Sequence, residues 1–245
     1  MNATADHART ASTPLPRAFV DGLLALPATA TLKSDDRSRV WRVVDAEGRP
    51  WVVKRFEPCK WRYWLAARVG LHPAQREVRV QAHLRALAVP VVSVSSLRFD
   101  TGGRALLVSP DRGVSVYNWL KRLPPDACPA KRHAVARQLG QITGQLIEHG
   151  FAHDDHKASN IVMDSDGVLR LIDVGGVRRT RSRRRIRRML ESLGKNLSTA
   201  ATRHADPASV RLTRADRLRF YRAMISQVST PIPWLKSLAS HPDGV

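Results

Sequence analysis

The sequence has little cysteine, no long apolar run and few acidic residues, and each shortage excludes a class of protein. Its two cysteines, Cys59 and Cys128, lack the close paired spacing of a zinc site or a disulfide framework. We expect two free thiols in a reducing compartment, with a single bridge between them as the alternative. No apolar run approaches the roughly 20 residues of a membrane-spanning helix. Met1–Pro16 lacks the basic start and apolar block of a secretory signal, so we expect a cytoplasmic protein.

Acidic residues are about half as frequent as basic ones. The chain has 21 Asp and Glu against 41 Lys and Arg, which gives a formal net charge of +20. Such a surface attracts polyanions: nucleic acid, anionic lipid headgroups or phosphorylated substrates. Composition alone leaves these three partners open. The apolar content of 43% in 245 residues is ordinary, and it allows one large domain or two joined lobes with a hydrophobic core.

The first half of the chain is predicted to be rich in strands, with one helix. β-Branched and aromatic residues favour strands, and turn residues separate them. Apolar residues at helical spacing, closed by a proline, favour the helix. The predicted elements are a hairpin of Val40–Val44 and Trp51–Phe56 around Asp45–Gly48, a helix over Pro73–Leu87, and strands Val91–Phe99 and Ala105–Ser109 around the turn Gly102–Gly103.

The second half is predicted to be mainly helical. Helices are expected over Val116–Leu123 and Lys131–His149, and a hairpin of Ile161–Met163 and Leu169–Ile172 around the plain turn Asp164–Gly167. The order of elements favours an α+β fold with two lobes. We place an N-terminal tail at 1–27, a β-rich N-lobe at 28–110 and a helical C-lobe at 111–245.

Four short motifs stand in a chemically suggestive order. Lys54 ends a strand with the sequence W-V-V-K, and Glu77 lies in the helix that follows. His153–Asn160 forms a loop with the pattern H-x-D-x-x-x-x-N. Asp173–Gly175, with the sequence D-V-G, comes directly after an apolar strand. Any one of these motifs is a weak signal, because an isolated Lys or Glu is ordinarily a solvated surface residue. Together and in this order they are a strong one.

The four motifs resemble those of the protein-kinase superfamily over Thr31–Gly175. The loop matches the kinase catalytic pattern, and D-V-G is similar to D-F-G with Val in place of Phe. The resemblance implies a bilobed protein-kinase-like fold that uses ATP and Mg²⁺. It implies that Lys54 holds the nucleotide phosphates, Glu77 holds Lys54, Asp155 accepts the proton of the acceptor hydroxyl, Lys157 reaches the transferring phosphate, and Asn160 and Asp173 bind Mg²⁺. His153 is interpreted as a packed loop anchor, and His156 receives no chemical role.

Two features depart from the superfamily pattern. The loop Ser34–Arg39 contains no glycine where most kinases have several, so its backbone approaches phosphates less freely. We expect the side chains of Ser38 and Arg39 to bind the nucleotide there instead. No A-P-E segment follows Asp173, so the activation segment is expected to be short and to lack the usual platform for a protein substrate.

Within the superfamily, three stretches resemble the bacterial kinases of the lipopolysaccharide core. They are Ala74–Val91 with its R-A-L and V-P-V elements, Leu171–Arg179 around the D-V-G motif, and Met189–Leu197 after a basic segment. This resemblance implies phosphorylation of a Kdo or heptose hydroxyl of the inner core. It also implies an anionic glycolipid or sugar substrate and a peripheral position on the cytosolic face of the inner membrane.

The basic segment Arg178–Arg188 is mostly arginine. Arg181, Arg183, Arg184 and Arg185 are predicted to bind the acceptor, because guanidinium groups bind phosphate and carboxylate oxygens bidentately. The alternative is a solvated charged face. Nucleic acid is not expected, since no stacking aromatics are interleaved with the arginines.

Two further questions stay open at the level of sequence. Lys60–Leu65 mixes cations with aromatics, which suits either a membrane surface or packing beneath a helix. The acceptor is equally unsettled: a kinase-like enzyme for a soluble small molecule or protein is one alternative, and a non-catalytic polyanion-binding pseudokinase is another. The oligomeric state is not predicted.

Overall fold

The computed structural model describes residues 15–57, 61–100, 104–124, 128–203, 212–229 and 232–235. The chain divides into two compact units, Met1–Ala82 with Val92–Asp111, and His83–Val91 with Arg112–Val245. A sheet dominates the first unit and helices the second, so the α+β fold class is confirmed. The bilobed arrangement, the short activation segment and the boundaries at residues 27 and 110 stay predictions. Among the described residues, no helix is long and apolar enough to cross a membrane.

The first unit contains an antiparallel five-stranded sheet and its helices. The strands lie in the order β1-β2-β3-β5-β4. The elements are α1 (Arg17–Ala25), β1 (Ala30–Ser34), β2 (Ser38–Val44), β3 (Pro50–Phe56), α2 (Trp61–Arg68), α3 (Pro73–Ala86, which continues into the second unit), β4 (Ser96–Phe99) and β5 (Ala105–Pro110).

The predicted hairpin is present as β2 and β3, with Val43 opposite Trp51. Asp45 holds its turn: the carboxylate accepts hydrogen bonds from the backbone of Arg49 at 2.8 Å and from the indole of Trp51 at 2.9 Å. Gly48 has a φ of 77°, a conformation that favours glycine. Val43 and Val53 are fully buried in one apolar cluster of this unit. The hairpin therefore follows from local turn chemistry and alternating burial.

The N-terminal helix α1 was not predicted, because it lies within the segment expected to be a tail. Val20 and Leu23, three residues apart, are buried in the same cluster as the hairpin valines. The helix is short and Pro16 at its N-cap makes no side-chain cap. The helix is stabilised by the packing of its apolar face on the sheet, and such a tertiary contact cannot be predicted from a local sequence pattern. Helix α2 was missed as well.

The strand predicted over Val91–Phe99 was too long, because only Ser96–Phe99 pairs in the sheet. Val91 makes an isolated parallel bridge to Leu171 within the second unit. The carbonyl of Val92 accepts from the side chain of Gln81, so its backbone is satisfied without a strand partner. The turn Gly102–Gly103, like Cys59 and Lys60, lies outside the described residues, and so do the side chains of residues 61–64. Cys128 is exposed and free.

The second unit combines long helices with short strand pairs. Strands β6, β8 and β9 form one sheet, and β7 pairs with β10. Two 3₁₀ turns, Ala158–Asn160 and Val174–Gly176, follow β7 and β9. The elements are β6 (Val114–Ser115), α4 (Val116–Lys121), α5 (Pro129–Glu148), β7 (Phe151–His153), β8 (Ile161–Met163), β9 (Leu169–Leu171), β10 (Val177–Arg179), α6 (Arg183–Thr202) and α7 (Arg214–Ile225).

Helices α5 and α7 approach each other closely because α5 carries two glycines. A Cβ at Gly140 would collide with the carbonyl oxygen of Phe220, and one at Gly144 with that of Met224. Thr213 and Asp216 form a capping box that starts α7. The predicted hairpin around Asp164–Gly167 is present as β8 and β9. Its Asp164 accepts backbone hydrogen bonds from Asp166 and Val168, as a plain turn requires.

Candidate active site

Lys54 and Glu77 form an ion pair in the first unit. Lys54 lies on β3, paired with Val40 on one side and Leu107 on the other. Its Nζ is 2.8 Å from Oε2 of Glu77 on α3, and the two side chains are 17% and 9% exposed. The predicted ion pair is therefore present, and burial keeps it from the solvent screening that weakens surface pairs. The binding of nucleotide phosphates by Lys54 stays a prediction.

The glycine-free loop between β1 and β2 is organised by Asp35. Its Oδ1 accepts from the backbone of Ser38 at 2.8 Å and of Arg37 at 3.0 Å. The hydrogen bond from Lys33, followed by these two, lowers the pKa of Asp35. Ser38 is buried and its hydroxyl donates to Asp35 at 3.4 Å, so the structure shows it holding the turn. Arg39 is exposed, with its guanidinium 5.8 Å from the ring centroid of Trp41.

The candidate catalytic loop of the second unit begins where β7 and β10 pair. Val177 lies opposite His153, and the backbone N–H of Asp154 donates to the carbonyl of Gly176 at 3.1 Å. Ile172 N–H donates to the carbonyl of Asn160 at 2.9 Å. These backbone bonds bring the loop His153–Asn160 and the segment that begins at Asp173 side by side.

Asp155 is held by two of its own loop neighbours. Lys157 Nζ lies 2.8 Å from Oδ2 of Asp155. Asn160 donates its side-chain amide to the carbonyl of Asp155 at 2.9 Å and to its Oδ2 at 3.0 Å. The Asp155 side chain is 52% exposed. The arrangement fixes a carboxylate in one orientation while leaving it open to a reacting hydroxyl, as a general base requires.

The backbone bond between Ile172 and Asn160 brings the chain near the two predicted magnesium ligands, Asn160 and Asp173, together. Because the amide nitrogen of Asn160 donates to Asp155, its Oδ1 is the atom that can bind a metal. Asp173 adopts the left-handed conformation, with φ 54° and ψ 47°. Such backbone strain in a non-glycine residue is concentrated at functional sites. Among the described residues, no group of three or more His, Cys, Asp or Glu is placed to hold a metal ion. Mg²⁺ itself needs only one or two protein ligands when phosphate oxygens complete its shell.

His153 is a packed anchor of this loop, as predicted. It is fully buried, and its Nδ1 accepts a hydrogen bond from the backbone N–H of Asp155 at 3.2 Å. Burial lowers its pKa, against the opposing charges of Asp173 and Asp155. Position 176 has little room for a side chain, since a Cβ there would lie 3.3 Å from His153 Nδ1. The imidazole is therefore neutral and positions the backbone of the candidate base.

His156 is also buried and neutral. Burial, followed by the charge of His153, lowers its pKa to about 3. Its Nε2 lies 3.0 Å from the hydroxyl of Thr143, which itself donates to the carbonyl of Leu139 at 2.7 Å. The hydroxyl oxygen is thus the acceptor, and the proton of His156 is on Nε2. This histidine ties the loop to α5.

Residues 82–204, half of the chain, match the model of the ABC1 atypical kinase-like domain. The chain belongs to this family. No curated protein matches the chain. The matched region contains Asp155, Lys157, Asn160 and Asp173, whereas Lys54 and Glu77 precede it. Membership confirms the resemblance to the protein-kinase-like superfamily and suggests phosphotransferase activity. It does not confirm the finer resemblance to lipopolysaccharide core kinases.

The four predicted acceptor-binding arginines of this kinase-like domain are all exposed. Arg183, Arg184 and Arg185 form the first turn of α6, and Arg181 lies two residues before it. The Arg183 guanidinium is 5.3 Å from the ring centroid of Trp234. The structure thus gathers three of the four at one helix start.

Three contacts that hold the candidate catalytic loop of the kinase-like domain were not predicted. Arg178 donates to Asp154 at 2.7 Å, which links the segment after Asp173 to the loop. The side chain of Asn196 on α6 accepts from the backbone of Ser159 at 3.3 Å. Met189, also on α6, accepts from the backbone of His153 at 3.2 Å. The opposite charges of Arg178 and Asp154 were a usable signal, whereas the α6 contacts depend on packing that no local pattern reveals.

Proposed function

We propose that this protein is an ATP-dependent phosphotransferase that acts on a hydroxyl of an anionic sugar, with Kdo or heptose of the lipopolysaccharide inner core as the acceptor. The observation that supports the reaction type is the carboxylate of Asp155, held by Lys157 and Asn160 and half exposed. A general base must be oriented and still accessible, and this carboxylate is both.

Within the second unit, each side chain of the loop has a proposed role. Asp155 accepts the proton of the acceptor hydroxyl and aims its oxygen at the phosphorus. Lys157, whose Nζ lies beside Asp155, places a positive charge near the transferring phosphate. Asn160 and Asp173 hold Mg²⁺, which when bound neutralises phosphate charge. Asn160 thus has two functions, because its amide nitrogen orients Asp155 while its oxygen binds the metal.

Within the first unit, Lys54 is proposed to bind the nucleotide phosphates. Its ion pair with Glu77 fixes the ammonium group at the middle of the sheet. Arg39 is exposed and is the better placed of the two residues expected to replace the missing loop glycines. Ser38, whose hydroxyl donates to Asp35, contributes mainly by shaping the turn.

The acceptor assignment is supported by the arginines at the start of α6. Positive side chains in the first turn of a helix oppose its dipole, and the first turn of α6 has no acidic residue. Binding an anionic group of the acceptor offsets this repulsion, and Kdo carries a carboxylate. A glycolipid acceptor also implies peripheral contact with the cytosolic face of the inner membrane, which the net charge of +20 favours.

One observation favours a second candidate, a polyanion-binding member with weak or no catalysis. The loop Ser34–Arg39 lacks glycine and is stiffened by hydrogen bonds to Asp35, so its backbone is poorly suited to wrapping phosphates. The two candidates predict different behaviour toward ATP in the presence of an acceptor.

The deciding experiment incubates the protein with Mg²⁺ and [γ-³²P]ATP and a panel of acceptors. The panel contains deacylated core oligosaccharides, their Kdo-free and heptose-free versions, an aminoglycoside and a generic protein substrate. Transfer to the anionic sugars, absent in Asp155→Asn, supports the proposal. Transfer to another member of the panel would show that the acceptor belongs to a different chemical class. Binding of the oligosaccharide without any transfer supports the non-catalytic candidate.

A further inference from the structure

The helical unit contains a cavity of about 120 Å³ among α4, α5, α6 and α7. None of its lining residues belongs to the candidate active site. Most of the lining side chains are apolar, among them Leu120, Val135, Leu139, Leu193 and Phe220. Well-packed interiors have few voids larger than one water molecule, so a cavity of this size is unusual.

One wall of this cavity is charged, and its hydrogen bonding is incomplete. Asp216, only 4% exposed, lines the cavity together with Arg132. Oδ2 of Asp216 accepts from the backbone and the hydroxyl of Thr213 at 2.9 and 2.8 Å. Oδ1 accepts no hydrogen bond from the described part of the chain; His133 Nε2 is nearest among its ion-pair partners, at 3.6 Å.

Arg132 has a buried donor that makes no hydrogen bond. Its Nε lies 3.0 Å from Oδ2 of Asp216 but is not aligned for a hydrogen bond, and no described residue accepts from it. A buried acceptor and a buried donor that make no hydrogen bond each destabilise a fold. A ligand group that both donates and accepts, such as a hydroxyl, would satisfy the two atoms together.

Gly194 is a second and independent feature of the same cavity. It lies inside α6, where glycine lowers helix stability, and it lines the cavity while being exposed to solvent. A Cβ at Gly194 would meet no atom within 4 Å, in contrast to Gly140 and Gly144 of α5, which close packing requires. Packing therefore does not explain Gly194. The cavity therefore reaches the surface beside a residue that has no side chain.

We propose that this cavity is a binding site for a small aromatic alcohol, a molecule with one six-membered ring and one hydroxyl. An apolar cavity of about 150 Å³ accommodates benzene. This cavity is slightly smaller, at about 120 Å³, but it reaches the surface at Gly194, so a single ring with its hydroxyl matches its size. The ring contacts the apolar walls, and the hydroxyl donates to Asp216 Oδ1 and accepts from Arg132 Nε. The site does not depend on the proposed phosphotransferase activity.

The test titrates the full chain with 4-fluorophenol and, separately, with 4-fluorotoluene, and follows binding by ¹⁹F NMR. We expect saturable one-to-one binding of the phenol. The toluene, which leaves the buried carboxylate without a donor, should bind at least about tenfold more weakly. Equal binding of the two probes, or no saturation by either, would overturn the proposal.

Two leucine variants separate binding from folding. Gly194→Leu fills the opening with a better helix former, so its melting temperature should equal or exceed that of the wild type. Its affinity for 4-fluorophenol should fall at least about tenfold, since the leucine occupies the space of the ring. Lys195→Leu adds the same side chain at the next, exposed position of α6 and should bind the phenol normally. A Gly194→Leu protein that is folded and binds like the wild type contradicts the assignment.

Discussion

At the scale of single residues, the candidate base Asp155 is held in place by contacts with other residues of its own loop. The carboxylate of Asp155 forms an ion pair with Lys157 and accepts a hydrogen bond from the side-chain amide of Asn160. Its backbone N–H is fixed by His153, which burial keeps neutral. A protonated His153 would have no lone pair on Nδ1 to accept that bond. The backbone position of the candidate base is therefore linked to the protonation state of His153, to which no chemical role is assigned.

The first prediction concerns Asp155→Asn. The amide keeps the size of the side chain but accepts no proton, so kcat should fall by about 10²–10⁴-fold, the usual contribution of a general base. The affinity for ATP, measured by calorimetry, should stay within about twofold, because the role proposed for Asp155 concerns the acceptor. Asp166→Asn, in the exposed hairpin turn, is the matched control and should keep full activity. Undiminished turnover in Asp155→Asn would remove this residue from the mechanism.

A second prediction at this scale concerns His156 and the pH dependence of stability. Burial lowers its pKa to about 3, well below its value in the unfolded chain, so the unfolded state binds the extra proton first. Its contribution to stability is thus fully present above about pH 6.5 and is lost as the pH falls toward 3, at up to about 1.4 kcal/mol per pH unit.

The measurement compares the free energy of unfolding of the wild type and His156→Leu by urea denaturation between pH 7 and 4. The variant loses the hydrogen bond to Thr143 and should be less stable at pH 7. Its stability should decline less steeply with acidification, because it lacks the titrating group. Parallel pH profiles would show that the pKa of His156 is the same in the folded and unfolded states.

At the scale of secondary structure, α6 links several features of the second unit. Its first turn carries three of the four arginines, its buried face carries Met189 and Leu193, and Asn196 contacts the candidate catalytic loop. Basic residues at its start and apolar residues along one face give it a strong amphipathic character. The helix therefore supports the loop as well as the hydrophobic core.

The prediction for this element concerns Asn196. Its Oδ1 accepts from the backbone of Ser159, within the 3₁₀ turn Ala158–Asn160. Asn196→Ala removes the acceptor and should lower kcat several-fold without changing ATP affinity, because a small displacement of the loop misplaces Asp155. Asn196→Asp keeps an acceptor oxygen and should restore most of the activity. Lys195→Ala, at the neighbouring exposed position, is the control. If Asp and Ala at 196 behave alike, the hydrogen bond has no positioning role.

The arginines at the start of α6 lead to a second prediction for the same element. Replacing Arg181, Arg183, Arg184 and Arg185 by serine should raise the acceptor KM about tenfold to several-hundredfold, the combined effect of four exposed charge pairs. The KM for ATP should change little. The matched control replaces the exposed Arg112, Arg137, Arg214 and Arg222 by serine, which removes the same charge from other elements. An unchanged acceptor KM in the first variant would identify the arginines as a solvated face.

At the scale of the whole molecule, the order of a β-rich and then a helical part was predictable from sequence, because local turns and alternation carry it. Asp45 and Gly48 fix the first hairpin regardless of what surrounds it. The misplaced start of β4 has the opposite origin: Val91–Val94 is apolar enough for a strand, but Val91 bridges to Leu171 and Gln81 donates to the carbonyl of Val92. Tertiary contacts decided that case, and they also decided α1.

The candidate site shows the same division. Lys54, Glu77, Asp155, Asn160 and Asp173 stand out in the sequence because the order of their motifs along the chain is specific. Asn196 and Gly194 do not stand out, because their meaning depends on what α6 packs against. Sequence thus identified the groups expected to react, whereas the structure was needed to find the groups that position them.

The last prediction uses the net charge of the whole molecule, +20, and asks whether acceptor recognition is local or global. At about 0.15 M ionic strength, charges more than roughly 8 Å apart are largely screened. If the arginines at the start of α6 contact the acceptor directly, raising the salt from 0.05 to 0.5 M should increase the acceptor KM strongly in the wild type and in the control quadruple variant. The variant without Arg181, Arg183, Arg184 and Arg185 should already have a high KM and respond weakly, because its salt-sensitive contacts are gone. If the general field of the protein attracts the acceptor instead, the two quadruple variants, equal in charge, should show the same KM at every salt concentration. That equality would assign acceptor binding to net charge rather than to the helix start.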